Sequence, residues 1–213
     1  MDWIHVVLVA LVLSNLLALG SSRIGVCIRV VALQGWLLGA LTMLVHAEHL
    51  TVRLGLLAVA NVVVKGAVIP WLLGRAVREA EVRREVEPFV GYTLSLLFGL
   101  SALVGFRWLG SRLEVAGPEA SRFALPVAFF TIYVGSFLII TRRKAVSQVI
   151  GYLVMENGIG VVGVALVGGV TMLVELGMLL DVFVAVFVMG IAICHINREF
   201  DHIDADRLNL LKG

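Results

Sequence analysis

The sequence predicts an all-α, polytopic membrane protein, and three observations carry that prediction. Hydrophobic residues make up 60% of the 213 residues and charged residues 15%, against about 45–50% and about 25% in soluble domains. A soluble fold of this size has too little interior to hide so much apolar surface. The 17 Lys+Arg and 15 Asp+Glu cluster between long apolar runs. Those runs have the length, about 17–25 residues, that a bilayer-crossing helix needs. They lack the short alternating segments of a β-barrel. Backbone groups in lipid must be paired internally, which leaves helices.

Seven spans follow in order, within one membrane domain covering residues 1–213 because the connections are short. Span 1, Trp3–Leu19, is flanked by Asp2 and His5 instead of a basic n-region and has no clear small-residue cleavage site, so it reads as a retained helix. Span 2, Ile24–Val45, contains Gly35 and Gly39, a GxxxG spacing that permits close helix approach. Span 3, Leu54–Gly74, is loosened by Pro70. Beyond it, Arg75–Pro88 pairs opposite charges at helical spacing (Glu79 with Arg83, Arg83 with Glu87, Arg78 with Glu81), so the helix is expected to leave the membrane and stop before Pro88. That stretch reads as a solvated helix or as a docking segment for a cytoplasmic partner. Its alternating charges do not make a polybasic lipid-binding patch. Spans 4 to 7 are Phe89–Phe106, Phe123–Ile140, Val146–Val167 and Val170–Cys194, followed by a tail over 196–213.

Lys and Arg set the orientation. The connections after spans 1, 3 and 5, with the tail, carry Arg23, Arg75, Arg78, Arg83, Arg84, Arg142, Arg143, Lys144, Arg198, Arg207 and Lys212; the other side carries Arg53, Arg107, Arg112 and Arg122. The excess places the N-terminus outside and the C-terminus in the cytoplasm, with the chain in the plasma (inner) membrane.

Several local patterns suggest chemistry and fail on context. Cys27 and Cys194 form no CxxC and suit packing. His46, Glu48 and His49 lack a strong further metal ligand and read as an outer loop. Asp201, His202, Asp204 and Asp206 do not match an EF-hand, which leaves a solvated or partner-docked tail. The GIGVVG of Gly158–Gly163 matches GxGxxG literally but lies inside a span with no preceding strand, so its glycines serve helix packing. There is no Ser-His-Asp arrangement, HExxH or P-loop. Neither a catalytic residue, a bound metal nor a nucleic-acid partner is expected.

Function is sought instead in the charges left inside the spans. Arg29 and Glu175 lie near span ends, where snorkelling is cheap. Lys65, Glu156 and Asp181 fall near mid-span, where each costs roughly 2.5–3.5 kcal/mol or more on insertion scales. Such groups must face protein or water. Gln148, Tyr152, Glu156, Gly160 and Gly163 recur at helical spacing, a face expected to pack on another helix. Glu156 reads either as a proton-handling carboxyl or as neutral hydrogen-bond glue. Lys65 follows Asn61 by one turn and reads either as a tunable charge or as the packing partner of Glu156 or Asp181. Asp181 lies on a face with Gly177 and Ala185, with His195 towards the cytoplasmic end, a pattern that could line a path to mid-membrane.

The stretch RRKAVSQVIGYLVMENGIGVVGVAL at Arg142–Leu166, with its GYLVMENG core, the following ELGMLLDVFVAVFVMGI and a tail ending LNLLKG, resembles component E of hydrogenase-4. VVVKGAVIPWLLGRA and the VALQG of span 2 look similar to the same family, so the resemblance reaches over nearly the whole chain. It implies a membrane subunit of a group 4 nickel–iron hydrogenase or formate hydrogenlyase-type complex, related to the K-type subunit of complex I. It also implies antiporter-like membrane subunits and peripheral hydrogenase-type subunits as partners besides lipid. Nickel–iron and iron–sulfur centres would sit on those partners, with no cofactor and no redox chemistry on this chain. Carried onto this sequence, the family's polar positions fall on Glu156, Asp181, Lys65 and Gln34. An offset of 122 sets Gln34 opposite Glu156, which suggests a three-helix unit present twice, as spans 1–3 and 5–7.

The expected function is therefore relay of protons or ions coupled to electron transfer in a peripheral arm, through Glu156, Asp181, Lys65 and Gln34, supported by Tyr152, Gln148, Asn61 and His195. The alternatives are a purely structural bridge between antiporter-like modules and a stand-alone transporter of a small solute. The orientation is directly testable. With Cys27 and Cys194 replaced, a single cysteine in the 46–53 loop is expected to react with a membrane-impermeant maleimide on intact cells. One in the 196–213 tail should react only after permeabilisation, and the reverse pattern would invert the topology.

Overall fold

A computed structural model of the chain describes residues 2–45, 55, 59–60, 62–79, 88–112 and 119–165. Regular structure among them is helical throughout: α1 (Asp2–Gly20), α2 (Ile24–Val45), a π-helix (Val64–Val68) running into α3 (Ile69–Glu79), α4 (Tyr92–Arg112), α5 (Glu119–Thr141) and α6 (Ala145–Ala165). Five helices among the described residues are long and apolar enough to cross a membrane: Trp3–Gly20, Ile24–Val45, Tyr92–Arg112, Phe123–Thr141 and Ala145–Ala165. Span 3 is helical over residues 62–79, through its expected exit from the membrane as far as Glu79. The seventh expected span, most of the charged link before Pro88, the 46–53 loop and the tail lie outside the described residues.

Two spans differ from expectation at their ends. Span 4 begins at Tyr92 and runs to Arg112 instead of covering Phe89–Phe106. Phe89 is held outside the helix because its N–H donates to the Thr141 carbonyl (2.9 Å). At the other end the helix continues past Phe106 because its arginines find aromatic partners. Arg107 lies 5.3 Å from the centre of the Phe123 ring, and Arg112 lies 5.4 Å from that of Trp108. Span 5 begins earlier than Phe123, at Glu119, and carries Pro126 within the helix. The proline ring lies against Gly110 of α4, where a Cβ would collide with it.

The helices pack in alternating directions. The short connections Ser21–Arg23 and Arg142–Lys144 lie at one end of the bundle, tied by the Arg142 Nη2 bond to the Leu19 carbonyl (3.0 Å). α1 packs on α2 and α5, α2 on α6 and the π-helix, and α5 most extensively on α6. Small residues set that last distance. A Cβ on Gly135 would meet the Met155 backbone, one on Gly151 would lie 2.9 Å from the Gly135 carbonyl oxygen, and one on Gly158 2.7 Å from the Ile132 nitrogen. Because backbone stands on both sides, nothing there gives way. α6 is accordingly enclosed, with 14 of its 21 residues buried. α4 is peripheral and turns Leu94, Leu97, Leu100, Val104 and Trp108 outward.

The apolar interior is divided in two. One cluster, around Leu19, Ile28, Val31, Leu73, Val134, Ile150 and Leu153, fills the end near the short connections. A second, around Leu8, Leu11, Leu41, Ala128, Val161 and Val164, fills the opposite end. α1, α2, α5 and α6 each pass from one cluster to the other, and polar side chains occupy the layer between them. The glycine contacts yield a paired test. Gly135→Ala is expected to destabilise the protein by about 1–3 kcal/mol through overpacking. Gly105→Ala, where a Cβ meets nothing within 4 Å, should be neutral or stabilising by up to about 1 kcal/mol. Thermal unfolding of the two variants in detergent checks both signs.

Candidate functional site

Span 3 reaches the polar layer through a local distortion. Pro70 has no N–H, and its ring crowds the carbonyl four residues back. The preceding turn widens to a π-helix over Val64–Val68, with the Ile69 N–H bonded to the Val64 carbonyl. The widened turn carries Lys65 and Gly66. It can sit against α2 because Gly35 has no side chain: a Cβ there would lie 2.9 Å from the Lys65 carbonyl carbon and 3.0 Å from the Gly66 nitrogen. The next glycine of the motif, Gly39, leaves room for Val62. The GxxxG spacing of span 2 thus serves the approach of the lysine-bearing segment.

Lys65 Nζ lies 3.0 Å from Glu156 Oε1, and the two side chains are 5% and 4% exposed. The contact is an ion pair of short distance but poor hydrogen-bond angle. Neither Glu156 oxygen accepts a hydrogen bond among the described residues. Of the two partners expected for Lys65, Glu156 is thus the one in contact, and Asp181 lies outside the described residues. An ion pair so far from water needs its partner, since an isolated charge there is strongly disfavoured.

Next to the pair, Asn157 opens a chain of amides. Its Nδ2 donates to Gln34 Oε1 (3.3 Å). Gln34 Nε2 donates to Ser14 Oγ and to Asn15 Oδ1, each at 2.9 Å. Asn15 Nδ2 donates to Thr131 Oγ1 (2.8 Å). The two hydroxyls finish on backbone carbonyls, Ser14 on Leu11 (2.7 Å) and Thr131 on Val127 (2.8 Å). Because those hydroxyl protons are committed to carbonyls, the hydroxyl oxygens must receive the amide N–H groups. That fixes which end of the Gln34 and Asn15 amides is the donor. The network joins α1, α2, α5 and α6, and Asn15, Gln34 and Thr131 are wholly buried.

The expected site is assembled in part. Glu156, Lys65 and Gln34 share the polar layer. Tyr152 is half-buried one turn before Glu156, whereas Gln148 is exposed and donates to the Arg142 carbonyl (3.1 Å) near the bundle end. The proposed face from Gln148 to Gly163 is therefore not a single polar face. α6 is enclosed by neighbours on several sides, so helical spacing alone does not select one. Asn61, His195 and Asp181 lie outside the described residues. Asn15, Ser14, Thr131 and Asn157 were not expected. Their signal in the sequence is that amides inside spans need partners as charges do.

Membrane-length helices around an enclosed ionic and amide layer define a polytopic membrane protein with a polar centre. The chain belongs to the family of the uncharacterized protein Rv0085 of Mycobacterium tuberculosis, to which it is 33% identical over 203 residues, 95% of this chain and 92% of that protein. It is also similar to hydrogenase-4 component E of Escherichia coli K12 and of Shigella flexneri, 36% identical over 90 residues in each case. That similarity covers 42% of this chain and 42% of each of those proteins, less than the nearly full-length resemblance read from motifs. No protein-family profile and no solved structure matches the chain.

The ion pair makes an energetic prediction. Lys65→Met leaves Glu156 without its cation and is expected to cost about 3–5 kcal/mol. The double variant Lys65→Met/Glu156→Leu should recover most of that loss. A double-mutant cycle on unfolding in detergent reads the coupling, and additive losses would show that the pair does not interact.

Proposed function

We propose that the chain is a membrane-arm subunit of a hydrogenase-type respiratory complex and takes part in proton movement coupled to electron transfer in the peripheral arm. The observation that supports this most is the Lys65–Glu156 pair, a titratable acid and base held together between two apolar clusters. Moving a charge near such a pair alters the proton affinity of both members, because the low-dielectric interior transmits charge effects. Glu156 is assigned the protonatable role, Lys65 the charge that tunes it, and Asp181 a second carboxyl, with His195 towards the cytoplasm. Gln34 is assigned to the amide network beside the pair. The partial similarity to hydrogenase-4 component E supports the setting. Partners in this reading are antiporter-like membrane subunits and peripheral subunits that hold the nickel–iron and iron–sulfur centres. The N-terminus is placed outside and the C-terminus in the cytoplasm. The seven spans include a duplicated unit, and the equally short connections Ser21–Arg23 and Arg142–Lys144, 121 residues apart, agree with it.

A second reading, a structural bridge between modules, has one specific observation in its favour. The amide chain from Asn157 ends on backbone carbonyls with both hydroxyl protons committed, which is the arrangement of a clamp. Glu156→Gln separates the two readings because it keeps the shape and removes the titratable group. The relay reading expects assembly of the complex at wild-type level with proton pumping reduced about tenfold or more, the scale of losing a positioned acid or base. Wild-type pumping in a fully assembled variant would leave only the bridge.

A further inference from the structure

At the end of the bundle opposite the second apolar cluster lies a cation that the polar layer does not use. Arg142 is 3% exposed. Its Nη2 donates to the Leu19 carbonyl, and its guanidinium carbon lies 4.6 Å from the centre of the Tyr92 ring. Its Nη1 is buried without any hydrogen-bond partner among the described residues. A charged donor left bare in this way is strongly disfavoured unless an acceptor reaches it.

Arg142 lines a cavity of about 20 Å³ together with Ser21, Ser22, Cys27 and Ser147. That volume admits one oxygen-sized group, since about 10–15 Å³ suffices for a water. Ser21, Ser22 and Cys27 are half-exposed, so the cavity opens to the surface. The charge around it has one sign. α2 begins at Ile24 and α6 at Ala145, so two helices turn their positive ends to this place. Exposed Arg23 and Arg143 flank it, and among the described residues no carboxylate lines it. The site lies where membrane-length helices end, with Leu17, Phe89 and Ile140 exposed at the same level.

We propose that this cavity receives a phosphate oxygen of an anionic phospholipid, with Arg142 Nη1 as the charged donor and the Ser21 and Ser22 hydroxyls at the mouth. A headgroup with its own cation is disfavoured, because Arg23 and Arg143 repel it and no carboxylate among the described residues lines the cavity to receive it. Basic pockets between membrane helices hold anionic headgroups by this chemistry.

The test uses the full chain, purified in a mild detergent and stripped of lipid. It is titrated separately with dioleoylphosphatidylglycerol, dioleoylphosphatidylcholine and inorganic phosphate, with bound ligand counted by native mass spectrometry. The expected result is retention of phosphatidylglycerol at concentrations where phosphatidylcholine is lost. Arg142→Gln should weaken that retention about tenfold, the scale of one charge-assisted hydrogen bond. Ser21→Ala/Ser22→Ala, which leaves the buried charge in place, should weaken it several-fold and decides the matter if Arg142→Gln does not fold. Equal retention of both lipids, or unchanged phosphatidylglycerol binding in the variants, overturns the proposal. Inorganic phosphate binding as tightly as the lipid would also overturn it and assign the cavity to a free anion.

Discussion

The pairing of Lys65 with Glu156 constrains the rest of the bundle, because two opposite charges far from water must stay within about 3–4 Å of each other or one of them must be neutral. Lys65 sits on the widened turn of span 3 and Glu156 in the middle of the most enclosed helix. Bringing them together at 3.0 Å requires α2 to let the π-helix pass close by, which Gly35 and Gly39 permit. It also requires α6 to be fixed against α5, which Gly135, Gly151 and Gly158 permit. A side chain at any of these glycines would meet backbone or a neighbouring side chain, so the ionic centre and the small-residue contacts form one geometric problem.

The amide network answers a different need. Asn15, Gln34 and Asn157 each bring donors and acceptors into a layer without water, where an unpaired amide costs at least about 1–3 kcal/mol. Their partners come from four helices, so satisfying one amide fixes the register of the next. The layer's depth follows from the same logic. Leu11, Leu41, Ala128 and Val161 close it on one side and Leu19, Val31, Val134 and Leu153 on the other. In such a setting a change of charge at Glu156 would be felt by Lys65 with little screening, while the hydrogen-bonded amide chain beside the pair holds the helices in register.

The arginine at the bundle end shows the contrast between solved and unsolved burial. Lys65 has a carboxylate within the fold. Arg142 has a carbonyl and an aromatic ring, and its Nη1 has no hydrogen-bond partner among the described residues. The first charge has its counter-ion among the described residues, and the second has none there.

Much of this was legible from residues alone. The apolar run of span 2 coincides with α2 at both ends, Ile24 and Val45, because its flanks, Arg23 and His46, are polar and nothing inside breaks a helix. The mid-span charges marked Lys65 and Glu156, since a charge in lipid must have a partner and few were available. The GxxxG of Gly35 and Gly39 marked a close approach. Other features depended on what lies far away in sequence. The extension of α4 to Arg112 rests on aromatic rings that accept its arginines, one of them on another helix. The π-helix rests on Pro70 together with the fit of Lys65 to Glu156. That Asn15 donates to Thr131, 116 residues away, could not be read from either position. Composition and charge spacing determined that this protein is a bundle of membrane helices with buried charges, because the cost of a charge in lipid depends only on its depth. Which charge meets which, and how the amides close around them, was decided by tertiary structure, because partnership depends on which helices are neighbours and at what register.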